Sequence, residues 1–197
     1  MIPFLRGVEY VGSYARFDDC SAEMKTLPLV VFTGRSNAGK SSLISAICDH
    51  QNLAKVSKTA GKTRTLNFFS VQDAGNDFFL VDLPGFGYAE ASHSERARMR
   101  KLIDEFLLHA ENAALIVQVI DARRELSREE HNVVRFCDEV GRRILLARTK
   151  WDKLNNKERG AIRKGWRNDG LGDRSVPVSS LKKIGLDLVL ERIRAAV

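Results

Sequence analysis

From residue 27 onward, short apolar runs alternate with amphipathic stretches, a pattern that predicts strands interleaved with helices. Leu29–Thr33 reads as a buried strand, and Lys40–His50 carries Leu43, Ile44 and Ile47 at helical spacing. Two strand-like runs follow, Leu66–Gln72 and Phe78–Asp82. The turn-forming stretch Ala74-Gly75-Asn76-Asp77 between them predicts a hairpin. Glu95–Leu108 has a helical pattern, Ala114–Asp121 reads as a strand, and Ser127–Val140 as a helix opened by a Ser127/Glu130 capping box. Ile144–Arg148 is then a strand, Lys157–Arg167 a basic helix, Ser175–Val178 a short strand and Leu186–Ala195 a closing helix. Strands and helices in this order predict an α/β fold with helices on both faces of a mostly parallel sheet, the hairpin supplying one antiparallel strand. Residues 1–26 read as an N-terminal extension around Val8–Tyr14, and residues 27–197 as one domain without repeats or linkers. Ligands of such sheets sit in the loops after the strand C-termini, so the chemistry is sought there.

Composition narrows the classes. With 197 residues, 44% hydrophobic and 29% charged, the chain can bury a sizeable core. Its longest apolar runs, Leu27–Phe32 and Ala113–Val117, fall far short of the roughly 20 residues of a membrane span. The opening residues lack the basic-then-apolar pattern of a secretory signal. Cys20, Cys48 and Cys137 are odd in number and in no CxxC pair, which predicts free thiols and a cytoplasmic setting. Disulfide scaffolds and metal-finger modules are thereby excluded. The formal charge is +7, and residues 150–197 hold most of it, with 12 basic against 6 acidic side chains.

The chemistry begins at Gly34-Arg35-Ser36-Asn37-Ala38-Gly39-Lys40-Ser41, which fits G-x-x-x-x-G-K-[ST] between an apolar strand and a helix. Such a loop curls so that successive N–H groups surround phosphate oxygens, at the positive end of a helix. Lys40 then reaches the β- and γ-phosphates as the catalytic cation, and the Ser41 hydroxyl ligates Mg²⁺. The chain is therefore expected to bind a nucleotide.

Three further segments choose the nucleotide. Asp82-Leu83-Pro84-Gly85 ends a strand, where Asp82 can hold Mg²⁺ through water and the Gly85 N–H can meet the γ-phosphate. Thr149-Lys150-Trp151-Asp152 follows another strand. The Asp152 carboxylate can accept two hydrogen bonds from guanine, whereas against adenine it is left unpaired. Val178-Ser179-Ser180 stands where a backbone N–H would meet guanine O6. Between the phosphate loop and the hairpin, Ser57–Thr65 offers Thr59, Thr63 and Thr65 as Mg²⁺ ligands, and spacing alone does not choose among them.

With GRSNAGKSSLI at 34–44, SKTAGKT at 57–63, NFF at 67–69, VDLPGFGYA at 81–89 and TKWDKL at 149–154, the chain resembles the EngB (YihA/YsxC) family of bacterial ribosome-biogenesis GTPases, in the Era/EngA/septin-like branch. The resemblance spans about Leu29–Ala196. It implies a Ras-like P-loop GTPase fold, GTP/GDP binding with Mg²⁺, and GTP hydrolysis. It also implies a role in assembling the large ribosomal subunit, on precursor particles or rRNA, and a link to septation in cell division. It selects Thr63 as the second metal ligand and makes Gly61, Lys62, Thr63, Arg64 and Thr65 nucleotide contacts. Two departures stand out: Ala60 replaces the usual Pro, and Trp151 replaces a usually small residue, either shielding the base or filling space.

Phe86 occupies the position where many relatives of Ras place a water-orienting Gln, which predicts slow intrinsic turnover. Asn37 resembles the phosphate-loop Asn with which some relatives in this branch hold a K⁺ ion in place of an arginine finger, or it merely shapes the loop; a ribosomal element is the other candidate stimulator. The competing readings are a passive GTP-holding RNA-binding module and a small-molecule phosphotransferase, the latter with no use for Thr149–Asp152. A monomer is expected. The excess charge, on Arg159, Arg163, Lys164, Arg167, Lys182 and Lys183, with Lys58, Lys62 and Arg64 as a second patch, points to an rRNA-facing surface.

Overall fold

The computed structural model describes residues 4–49, 65–86 and 92–197. Its strands are β1 (Glu9–Tyr14), β2 (Leu29–Gly34), β3 (Leu66–Asp73), β4 (Asn76–Asp82), β5 (Ala113–Asp121), β6 (Ile144–Thr149) and β7 (Ser175–Pro177). The helices are α1 (Ala22–Thr26), α2 (Lys40–Ile47), α3 (His93–His109), α4 (Arg128–Glu139), α5 (Asn156–Asn168) and α6 (Leu186–Arg194). The strands form one seven-stranded sheet in the order β1-β3-β4-β2-β5-β6-β7. The β2–β4, β2–β5, β5–β6 and β6–β7 pairs are parallel; β3 runs against both β1 and β4, the one antiparallel strand that the hairpin implied.

The uninterrupted apolar runs mark strands buried on both faces. Along β5, Leu115, Val117 and Val119 pack on one side with Val30, Phe32, Leu43, Ile47 and the inner face of α6. Ile116 and Ile120 point the other way, into a cluster with Phe68, Phe106, Val134 and Cys137. A smaller cluster of Ala122, Trp151, Leu154 and Trp166 lies under α5. The N-terminal segment supplies an edge strand to the same sheet, with Tyr10 and Tyr14 packed 5.6 Å from Phe69 and Phe68.

The hairpin turn is tighter than its composition indicated. Asp73 pairs with Asn76, leaving only Ala74 (φ 52°) and Gly75 (φ 87°) to turn the chain. Helix starts also move outward. The expected Ser127/Glu130 capping box is present on α4. Equivalent Ser92/Glu95 and Asn155/Glu158 boxes start α3 and α5 slightly before the apolar pattern does. The switch residues Gly61, Lys62, Thr63 and Arg64, with Lys58, Thr59 and Ala60, lie outside the described residues, as do residues 87–89.

Candidate functional site

β2 delivers the chain to Gly34, and α2 takes it up again at Lys40. The loop between needs three left-handed or glycine-only conformations: Gly34 at φ 152°, Asn37 at φ 64° and Gly39 at φ 99°. At Gly34 a Cβ would run into the Val119 carbonyl of β5, so only glycine lets the loop leave the sheet there. Arg35 and Ser36 are half-buried, Asn37 is exposed and Ala38 is buried, its N–H donating to the Arg35 carbonyl (3.1 Å). Unlike α3, α4 and α5, helix α2 has no side-chain cap. Its first N–H groups and its positive end therefore face the phosphate loop rather than a capping hydroxyl or amide oxygen.

β4 runs beside β2, with Asp82 opposite Phe32, and so brings Asp82 to the mouth of this loop. There the Lys40 ammonium pairs with the Asp82 carboxylate, both nearly buried at 11% and 4% side-chain exposure. Ser41, half-buried in the first turn of α2, completes a set of hard oxygen donors of the kind Mg²⁺ takes alongside substrate phosphates. No cluster of three or more His, Cys, Asp or Glu side chains able to hold a metal by itself occurs among the described residues. Leu83–Phe86 then lies along the phosphate loop. Leu83 N–H donates to Phe32 O (3.0 Å), Ser36 N–H to Phe86 O (2.9 Å) and Phe86 N–H to Gly34 O (3.2 Å). Gly85 is buried against Ser36, whose nitrogen lies 3.1 Å from where a Cβ would be; Pro84 is half-buried. The Phe86 side chain packs against the apolar cluster on the α3 and α4 side, so this position offers no polar group to a water.

The segment expected to read the base, Thr149–Asp152, lies at the end of β6 and in the turn after it. The Thr149 hydroxyl lies within hydrogen-bond reach of the Ala38 and Ile120 carbonyls, and it can donate to one of them at a time. Lys150 adopts a left-handed conformation (φ 57°) that sends its ammonium back to the Asn37 carbonyl (2.7 Å) and the Asp121 carboxylate (3.0 Å). The guanine motif and the phosphate loop are thus stitched together at two successive residues. Asp152 accepts a hydrogen bond from the Ser179 hydroxyl (2.6 Å), which holds its carboxyl below the ordinary range and keeps it ionised.

Sequence reasoning left the roles of two segments open, and the structure narrows both. Trp151 is 3% exposed, its ring 5.4 Å from that of Trp166, so its side chain fills the small core under α5 rather than screening a base. In Val178–Ser180, the Val178 N–H is engaged by Arg148 O and the Ser179 N–H by Ile184 O. Ser180 is left as the amide not used by a backbone carbonyl, while Ser179 acts through its side chain. Thr65, at the foot of β3, lies 3.4 Å from Asn67 Oδ1.

Asp121, at the end of β5, escaped the motif reading. It faces Thr149 in the β5–β6 register and is gripped by Arg123 through its backbone N–H (3.1 Å), Nε (2.9 Å) and Nη2 (2.6 Å). Burial works against its charge, but Arg123 and Lys150 outweigh it and hold the carboxyl well below the usual range. The Asp121-x-Arg123 spacing just beyond a strand was the available signal.

A sequence profile described as "50S ribosome-binding GTPase" matches residues 29–150. The probable GTP-binding protein EngB of Chlorobaculum parvum is 39% identical over 190 residues, covering 96% of each chain. That of Desulfovibrio desulfuricans is also 39% identical, over 85% of this chain and 82% of its own. Among solved structures, a probable GTP-binding protein engB superimposes with a TM-score of 0.68 at 20% identity, over 85% of this chain and 97% of that one. Aquifex aeolicus Era bound to GDP·AlF4⁻ superimposes with a TM-score of 0.66 at 21% identity, over 87% and 57%. At these identities the structures speak for the fold alone.

Proposed function

The chain belongs to the EngB family of GTP-binding proteins, and from that premise we propose that it is a slowly hydrolysing, Mg²⁺-dependent GTP switch acting on large-ribosomal-subunit precursors. The observation that carries the reading is the double stitch between base and phosphate sites: Thr149 to Ala38, and Lys150 to Asn37. Only a guanine nucleotide uses both ends of that frame, because adenine has no N1–H and neighbouring exocyclic amine to offer the Asp152 carboxylate beside the Ser179 hydroxyl. A phosphotransferase has no need of it.

In the proposed mechanism, Gly34–Ser41 cradles the phosphates through backbone N–H groups, and Lys40 moves from Asp82 to the β,γ-bridge, where it stabilises charge on the leaving phosphates. Ser41 and Thr63 would hold Mg²⁺, which would neutralise the remaining phosphate charge. Asp152 reads the guanine N1–H and exocyclic amine, and the Ser180 N–H meets O6. Gly61–Thr65 contacts the nucleotide beside the γ-phosphate. No side chain at position 86 orients water, so turnover depends on an outside stimulus from the ribosome or from K⁺. Asn37 is a left-handed residue whose carbonyl receives Lys150, which supports the loop-shaping alternative. Equal turnover in KCl and NaCl removes the K⁺ alternative. The link to septation rests on the family, as does action by a cytoplasmic monomer; no described helix is long and apolar enough to cross a membrane.

The decisive experiment is single-turnover GTP hydrolysis with and without large-subunit particles. Stimulation by particles supports the switch. Particle binding without hydrolysis favours the second reading, a GTP-holding RNA-binding module, for which Phe86 is the specific observation. Asp152→Asn tests the base site: preference should move from guanine toward xanthine nucleotides, and unchanged GTP affinity would refute the assignment of Thr149–Asp152.

A further inference from the structure

Helix α5 carries five cations, and the structure sorts them by direction. Arg159 turns inward, its Nη2 donating to the Trp151 carbonyl (3.2 Å), and Arg163 lies over the Trp151 ring at 5.5 Å. With Trp166 of the same helix packed at a tilt against Trp151, α5 is clamped to the residue next to Asp152. Its apolar side is thereby used up. Lys157, Lys164 and Arg167 are exposed on the opposite side, along with Gly160, Ala161 and Asn168. None of those three cations is paired with a carboxylate among the described residues, and Glu158, the acid of the helix's first turn, is occupied in the capping box. A second oddity falls on the same face. Glycine is the poorest helix former after proline, yet a Cβ at Gly160 would meet nothing within 4 Å, so internal packing does not ask for it.

Resting on the ribosomal reading above, we infer that this outward face of α5 is a docking surface for the sugar–phosphate backbone of RNA. Unpaired Lys and Arg on a rigid helix neutralise phosphates, and the small residues between Lys157 and Lys164 let the backbone come close to the helix axis. A membrane surface fits less well, because an interfacial helix inserts an apolar face and this one is already packed on Trp151. A protein partner fits less well too, since the face presents no aromatic or aliphatic anchor.

The test measures binding of the full chain, in GTP, to large-subunit particles and to naked large-subunit rRNA across a salt series. In the triple variant Lys157→Gln/Lys164→Gln/Arg167→Gln, affinity for both should fall at least tenfold near physiological salt. The slope of log affinity against log salt should become shallower by about one per lost phosphate contact. GTP affinity and basal turnover should not change, because none of the three residues belongs to the nucleotide site. Gly160→Gln should raise the Tm while weakening RNA binding, a pairing of signs that misfolding does not produce. Unchanged affinity and slope in the triple variant overturn the assignment of this face while leaving ribosome binding intact. Loss on particles but not on naked rRNA overturns it in favour of a protein contact. A wild-type chain that binds neither target refutes the ribosomal reading itself.

Discussion

Asp121 offers the sharpest test of how the base site is held. Its carboxylate is one of two acceptors for the Lys150 ammonium, the other being the Asn37 carbonyl. Asp121→Asn keeps the shape and removes the charge. A hydrogen bond to a charged group contributes about 1.5–3 kcal/mol, and Lys150 is one-third exposed, so water replaces part of it and the lower end applies. About 1.5 kcal/mol corresponds to roughly a tenfold loss of GDP affinity. Guanine-over-xanthine preference should persist, since Asp152 is untouched. Titration of a fluorescent GDP analogue measures both. A double-mutant cycle with Lys150→Ala should show strong coupling; effects that add to within about 0.5 kcal/mol would refute the positioning role. Acid supplies an independent check. A carboxyl depressed in the folded state stabilises fully above the ordinary Asp value of about 4, and that stabilisation is lost as the pH falls through the lower folded value. The wild type should therefore lose stability more steeply than Asp121→Asn below about pH 4.

Gly34→Ala drives a methyl into the Val119 carbonyl and should abolish nucleotide binding or lower the Tm sharply, as read by thermal unfolding with and without GDP. Glu130 is fully buried and paired by both oxygens to Arg124, so Arg124→Ala strands the carboxylate on its capping bond alone; urea unfolding should show a loss of about 3 kcal/mol. Burial pushes the Cys20 thiol up to about 11 and those of Cys48 and Cys137 to about 12. At pH 8 a thiol reagent should barely react with the native chain and should titrate all three cysteines in denaturant.

The sheet was legible because strands buried on both faces leave unbroken apolar runs, and the phosphate loop because its glycines and Lys40-Ser41 have fixed spacing. Helix starts were less so. Ser92 and Asn155 are polar residues outside the apolar periodicity, and they declare themselves as caps only once Glu95 and Glu158 fold back onto them. Trp151 was ambiguous because a turn residue shows no face until α5 is packed against it. Asp121 was legible only through its near neighbour Arg123, because its partner Lys150 is distant in sequence and becomes adjacent only through the β5–β6 register, which sets Asp121 opposite Thr149.

That register bears on how a switch can operate here. Gly34 sits opposite Val119, Asp121 opposite Thr149 and Asp82 opposite Phe32, so three parallel strand pairs fix the origins of the phosphate, base and D-x-x-G loops at once. Thr149 and Lys150 then tie base loop to phosphate loop through buried or charge-assisted bonds, which makes that half of the site a single rigid piece. The D-x-x-G segment is anchored at its start by the Lys40–Asp82 pair and the Leu83–Phe32 bond, and past Leu83 it is held by the two backbone bonds between Phe86 and the Gly34–Ser36 stretch. Each of these two contributes only about 0.5–1.5 kcal/mol net, so in the proposed switch a contact between Gly85 and a γ-phosphate would be enough to exchange them. In that switch, guanine recognition belongs to the part that holds still, and the discrimination between GTP and GDP to the D-x-x-G segment beside it.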